Sequence, residues 1–193
     1  MSTFQHVSAF ISLILGLGVA NVLANFAMLR KGGAAVRWYH LHVAWGALLL
    51  VMMALEWWIM LNWTSTQVAA RFTFFHFAFM LVKPSLLFFA SDMLFPEQAV
   101  RGADLREHFY ASRRGIFLTL GYYGTADFAD TMLKGWDYLL GLGLTYFIAN
   151  GTITIGAYLA AFTRSERYHV MYFIIVVILI TAAVLNVPVA GNP

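Results

Sequence analysis

The sequence predicts an all-α polytopic membrane protein, a six-transmembrane-helix bundle with both termini on the non-cytoplasmic side. Three observations predict it: an apolar composition, six hydrophobic runs of spanning length, and basic loop residues gathered on one side. Of the 193 residues, 61% are hydrophobic and 11% charged, whereas soluble domains carry about a quarter charged residues. Cysteine is absent, which excludes disulfides, iron–sulfur centres and thiol chemistry.

A helix needs about 20 apolar residues to cross a bilayer. Runs of that kind occupy residues 4–29, 39–61, 72–95, 115–133, 138–162 and 168–187, so residues 1–193 form a single transmembrane helical domain. In the first run Ser8, Ser12, Gly16, Ala20 and Ala24 recur every four residues. They are expected to form a ridge of small side chains against which neighbouring helices pack, with Asn21 and Asn25 beside it as interhelical hydrogen bonders. The pattern Leu15-Gly16-Leu17-Gly18 with Ala24-Asn25 returns as Leu140-Gly141-Leu142-Gly143 with Ala149-Asn150. The two copies lie at different depths, so Asn150 marks a second packing face rather than a duplication.

The second run is entered through Arg37, Trp38, Tyr39, His40 and His42, the cation and amphipathic rings of a membrane interface. In the third, Pro84 lacks an N–H and leaves the Met80 carbonyl without its helical partner, which predicts a kink. Between the third and fourth runs, Asp104 and Glu107 resemble a capping box that opens a short interfacial helix. The fourth run carries Asp127 and Asp130 and is the least apolar; the sixth is entered through Arg167, Tyr168 and His169.

Cytoplasmic loops retain Lys and Arg. Arg30, Lys31, Arg37, Arg101, Arg106, Arg113, Arg114, Arg164 and Arg167 fall on one side and only Arg71 and Lys134 on the other, which places both termini outside. The expected location is a bacterial inner membrane, with the lipid bilayer as the first partner and no role in binding nucleic acid. LGLG in the first helix, VRWYHLHVAW entering the second, the pair Trp57-Trp58, DLREHFYASRR and RSERYH together resemble a group of small bacterial multi-pass membrane proteins of uncharacterised function. The resemblance implies the topology and assigns no activity or site residues.

Ionisable groups inside a membrane call for a functional hypothesis. Lys83 lies at the midplane of its run, Asp127 about 5 Å outward, and Glu56, His76 and Asp130 about 9 to 10 Å outward at ~1.5 Å per residue. The pairs expected from depth are Lys83 with Asp127 and Glu56 with His76. Three carboxylates against one lysine leave an excess that must hold protons, admit water or bind a cation. The leading expectation is therefore a non-enzymatic bundle that handles a proton or small cation at an outward-facing polar site. The alternative is an accessory or scaffold subunit of a respiratory or photosynthetic complex, or a homo-oligomer. There, His6 and His76 near one surface, and His40, His42 and His169 near the other, are candidate ligands for haem or (bacterio)chlorophyll. An intramembrane enzyme ranks last, because the chain has no HExxH and no glycine-flanked serine nucleophile.

Overall fold

The computed structural model describes residues 3–60, 73–96 and 103–186, and no strand occurs among them. Arg71, Arg101 and the expected helix limits at 61, 72 and 187 lie outside the described residues. The helices are α1 (Thr3–Gly32), α2 (His40–Met60), α3 (Phe74–Met80), α4 (Val82–Leu94), α5 (Leu105–Leu133), α6 (Trp136–Gly141), α7 (Gly143–Phe162) and α8 (Glu166–Asn186). Five helical stretches are long and apolar enough to cross a membrane: His6–Gly32, His40–Met60, Phe74–Leu94, Gly143–Phe162 and Glu166–Leu185. The chain is a multi-pass helical membrane protein.

Two expected helices are each broken once, for backbone reasons. The third is interrupted at Leu81, three residues before Pro84, where the Leu81 N–H turns to the Ala78 carbonyl at 3.3 Å. The fifth is interrupted at Leu142, because Gly143 adopts a φ of +68°, a left-handed conformation that glycine takes without strain. The fourth is longer than expected. The short interfacial helix and the helix after it are one element, α5. It starts where Asp104 accepts the backbone N–H groups of Arg106 and Glu107 at 2.9 and 3.0 Å.

α5 packs along α4 on one side and α7 on the other. Glycines permit the close approach: a Cβ at Gly115 would lie 2.6 Å from Met93 Sδ, and one at Gly121 2.7 Å from the Tyr158 ring. α1 and α2 close around α4, while α8 lies outermost against α7 and α2. At one end the α1–α2, α4–α5 and α7–α8 connections meet. Arg37 and Asp104 exchange backbone neighbours there (Arg37 N–H to the Ala103 carbonyl at 2.9 Å, Leu105 N–H to the Arg37 carbonyl at 3.1 Å), and Arg106 reaches Glu166 at 2.8 Å. Arg37 and Arg106 thus lie together at this end.

The ridge on α1 is not the face through which that helix packs within the chain. Val7, Ile11, Leu15, Gly18, Val22 and Leu29 are buried, whereas Gly16, Ala20 and Ala24 are exposed and a Cβ at Gly16 would meet nothing within 4 Å. The reason is geometric. A spacing of four overshoots a 3.6-residue turn by about 40° per step, so five such positions sweep about 160° around the helix. The buried set mixes spacings of three and four and stays on one side. Ser12 and Ser8 sit at the ridge's half-buried start, where Ser12 accepts from Trp57 Nε1 at 2.9 Å. Asn21 donates to Ser91 on α4 at 3.2 Å, whereas Asn25, also expected to bond between helices, donates to Asn21 Oδ1 at 3.0 Å within α1 itself.

Candidate functional site

The break at Leu81 delivers Lys83, on the first turn of α4, into the space between α2 and α5. Its side chain is 3% exposed, and its Nζ lies 2.7 Å from Asp127 Oδ1, 3.1 Å from Glu56 Oε2 and 3.9 Å from Asp130 Oδ2. The tyrosine ring of Tyr123 stands 5.5 Å from the same ammonium and donates its hydroxyl to Glu56 at 2.7 Å. One turn further along α5, Lys134 Nζ binds Asp130 at 2.6 Å, and both side chains are buried. Sequence spacing explains that contact, since residues four apart share a helix face.

α7 completes the shell from the other side. Asp127 Oδ2 accepts from Asn150 Nδ2 at 2.8 Å and from the Tyr146 hydroxyl at 3.0 Å, while Thr154 donates to Asn150 Oδ1 at 2.9 Å. Asp127 therefore has donors on both oxygens, as a buried carboxylate requires. A cavity of about 10 Å³, the space of a single water, lies against Glu56, Lys83, Asp130 and Lys134. Met60 and Met80 also line it.

Of the five residues expected here, Glu56, Lys83, Asp127 and Asp130 come together. His76 takes a different place: its Nδ1 accepts the Thr73 N–H at 3.2 Å and lies 2.7 Å from Thr73 Oγ1, closing the cap of α3. Its expected partner Glu56 binds Lys83 and Tyr123 instead. Lys134 joins the site rather than a loop, so among the described residues three carboxylates meet two ammonium groups, not one. Asn150, expected as a packing residue, is a ligand of Asp127. The stripe Tyr146, Asn150, Thr154 at intervals of four is a readable signal of a polar face on α7.

The candidate haem or pigment ligands are dispersed. His6 is exposed and His40 lies at the surface. His42 and His169 are fully buried, and each turns Nε2 to a carbonyl at a helix end, Leu94 at 2.8 Å and Thr163 at 3.1 Å. Their rings pack edge-on to Phe95 and Phe109 respectively. Both cap helix C-termini, where carbonyls lack intrahelical donors; His108 does the same for the Met93 carbonyl at 3.3 Å. No group of three or more metal-binding side chains arranged to hold an ion occurs among the described residues.

The chain matches no family model, no curated protein and no solved structure.

Proposed function

We propose that this chain is a six-span bundle of a bacterial inner membrane, with both termini outside the cytoplasm, that takes up and releases a proton at the site around Lys83. The sixth span is α5. Its 29 residues measure about 43 Å at ~1.5 Å each. It runs from the basic end, where Asp104 meets Arg37, to the opposite end, where Lys134 shares the small cavity with Met60 of α2. Two of the charges that lower its hydropathy, Asp127 and Asp130, are paired inside the bundle. Basic loops at the first end orient it toward the cytoplasm.

The observation that carries the proton reading is the clustering of Glu56, Asp127 and Asp130 within 3.9 Å of one buried ammonium group, beside a cavity the size of a water. Carboxylates brought together in low dielectric repel one another's charge, which favours uptake of a proton by one of them. The second lysine favours a proton over a metal cation, because ammonium groups already stand between the carboxylates. The water-sized cavity supplies a place for the proton's carrier beside Glu56 and Asp130.

Proteoliposomes loaded with a pH-sensitive dye and given a membrane potential test this directly. Wild-type protein should move protons faster than protein-free liposomes, and Glu56→Gln, which leaves Lys83 its nearest carboxylate Asp127, should fold and lose the flux. Wild-type flux equal to the protein-free rate would remove the transport reading and leave a charge cluster that locks α2, α4 and α5 together. A second reading, assembly with another copy or within a larger membrane complex, is favoured by the uncovered row Gly16, Ala20 and Ala24, since small residues are where membrane helices associate. Native mass spectrometry of wild type and Ala20→Leu separates it: a larger species lost in the variant supports assembly, and monomer alone in both removes self-association.

A further inference from the structure

At the basic end, where α5, α7 and α8 converge, one cation lacks what Lys83 has. Arg113 is 6% exposed. Its Nη1 donates to the Tyr110 carbonyl of its own helix at 2.6 Å, and its Nε is buried with no acceptor. No carboxylate among the described residues lies within ion-pair distance of it. The charges that bear on it, Arg164 in the α7–α8 connection and Arg114 beside it, have its own sign. The nearby Glu166 is engaged by Arg106 and by the Tyr39 hydroxyl at 3.1 Å.

A buried charge among like charges is strongly unfavourable. Lysine or histidine could relieve it by losing a proton, but a guanidinium at physiological pH does not. The compensation must come from an anion that the described residues do not provide. Guanidinium groups present a planar fork of donors that matches phosphate oxygens, and two arginines at one corner suit a single phosphate better than a carboxylate. The position, at the end where basic loops gather, is the level of phospholipid headgroups.

We propose that Arg113, with Arg164, binds a phosphate group at this corner, supplied by an anionic phospholipid headgroup or by inorganic phosphate. Arg164 is exposed and gathers the anion, and Arg113 holds it in the partly closed corner. This site is separate from the one around Lys83 and stands whatever becomes of the proton reading.

The test is thermal unfolding of the purified protein in a neutral, lipid-depleted detergent. The additions are dioctanoyl phosphatidylglycerol, dioctanoyl phosphatidylcholine, and sodium phosphate against sodium chloride at equal ionic strength. A saturable rise in Tm with phosphatidylglycerol and a weaker one with phosphatidylcholine, retained in Arg30→Gln, identifies the lipid. A rise with sodium phosphate alone identifies the free ion. In either case Arg113→Gln should weaken the apparent affinity by at least about tenfold, the scale of a lost charged hydrogen bond. Should Arg113→Gln not fold, Arg113→Lys, which keeps the charge and loses the fork, and Arg164→Gln at the exposed position must each weaken it. No rise with any addition, or an equal rise in the variants, overturns the proposal.

Discussion

Asp127 and Asp104 are equally exposed, 24% by side chain, and each faces a cation at nearly the same distance: Lys83 at 2.7 Å and Arg37 at 2.9 Å. The cations differ. Lys83 keeps 3% of its exposure and Arg37 80%. If its carboxylate is removed, Arg37 turns to water, whereas Lys83 stays in the bundle with a charge that cannot rehydrate. Asp104 also has backbone partners, the N–H groups that open α5, so its bond to Arg37 is supplementary. Burial of the cation, not the ion-pair distance, decides what each pair contributes.

The largest expected effect follows from that difference. Lys83→Met leaves Asp127 and Glu56 without their ammonium group, and Asp127→Asn deprives Lys83 of its nearest carboxylate. Each should destabilise by about 3 kcal/mol or more, and the double variant should recover much of the loss. Unfolding in mixed detergent, analysed as a double-mutant cycle, gives the coupling directly. A coupling near zero would erase the contrast between the two aspartates.

How far this contrast is legible in the sequence depends on what each residue obeys. Depth along a helix follows from counting residues, so the sequence alone pairs Lys83 with Asp127. Facing is harder. The row Ser8 to Ala24 looks like a single face because four is close to 3.6, and the accumulated drift turns it outward. Lys134 reads as a loop residue because the hydrophobic run stops before it, although Asp130 four residues earlier marks the shared face. The expected start of the fourth helix at 115 is late because Arg113 and Arg114 read as a loop, while backbone hydrogen bonding ignores charge and continues from the Asp104 cap. The capping histidines read as interfacial groups or as ligands; their carbonyl partners lie on other helices or after a helix end, which spacing does not reveal.

A smaller effect sharpens the role of α7. Asn150 donates one hydrogen bond from a neutral amide to the Asp127 carboxylate and is itself oriented by Thr154. Asn150→Ala should destabilise by about 1 to 2 kcal/mol, well below Lys83→Met, because Lys83 and Tyr146 remain on the carboxylate. A loss as large as that of Lys83→Met would mean that the hydrogen bonds from α7, and not the ion pair, hold Asp127 in its ionised form.

Asp104 offers a pH test of the exposed side of the comparison. The Glu107 N–H bond, reinforced by the Arg106 N–H and by the charges of Arg37 and Arg106, holds its carboxyl below the ordinary value of 3.8. A carboxyl whose pKa is lower in the folded state stabilises fully above its unfolded value, and that contribution disappears as pH falls through the folded value. Asn also caps helices but does not titrate. The Tm of wild type should therefore exceed that of Asp104→Asn by a small, constant margin from pH 7 down to about pH 4, and the two should converge below it. A margin that persists at pH 2 would show that charge is not its source.

The smallest effect belongs to Arg37, and it isolates the exposed ion pair from everything around it. The Arg37 backbone joins the α1–α2 connection to the start of α5, donating to the Ala103 carbonyl and accepting from the Leu105 N–H. A side-chain substitution leaves that ladder intact. Asp104 keeps its two backbone donors, so no buried group is left without a partner when the guanidinium is removed. With the side chain 80% exposed, water and salt screen most of the remaining attraction. Arg37→Gln should accordingly unfold within the scatter of wild type, at low and at high ionic strength alike. If it instead lost as much stability as Asn150→Ala, and the loss faded with added salt, the exposed pair would be contributing what only the buried one is expected to contribute, and burial would no longer explain the difference between the two aspartates.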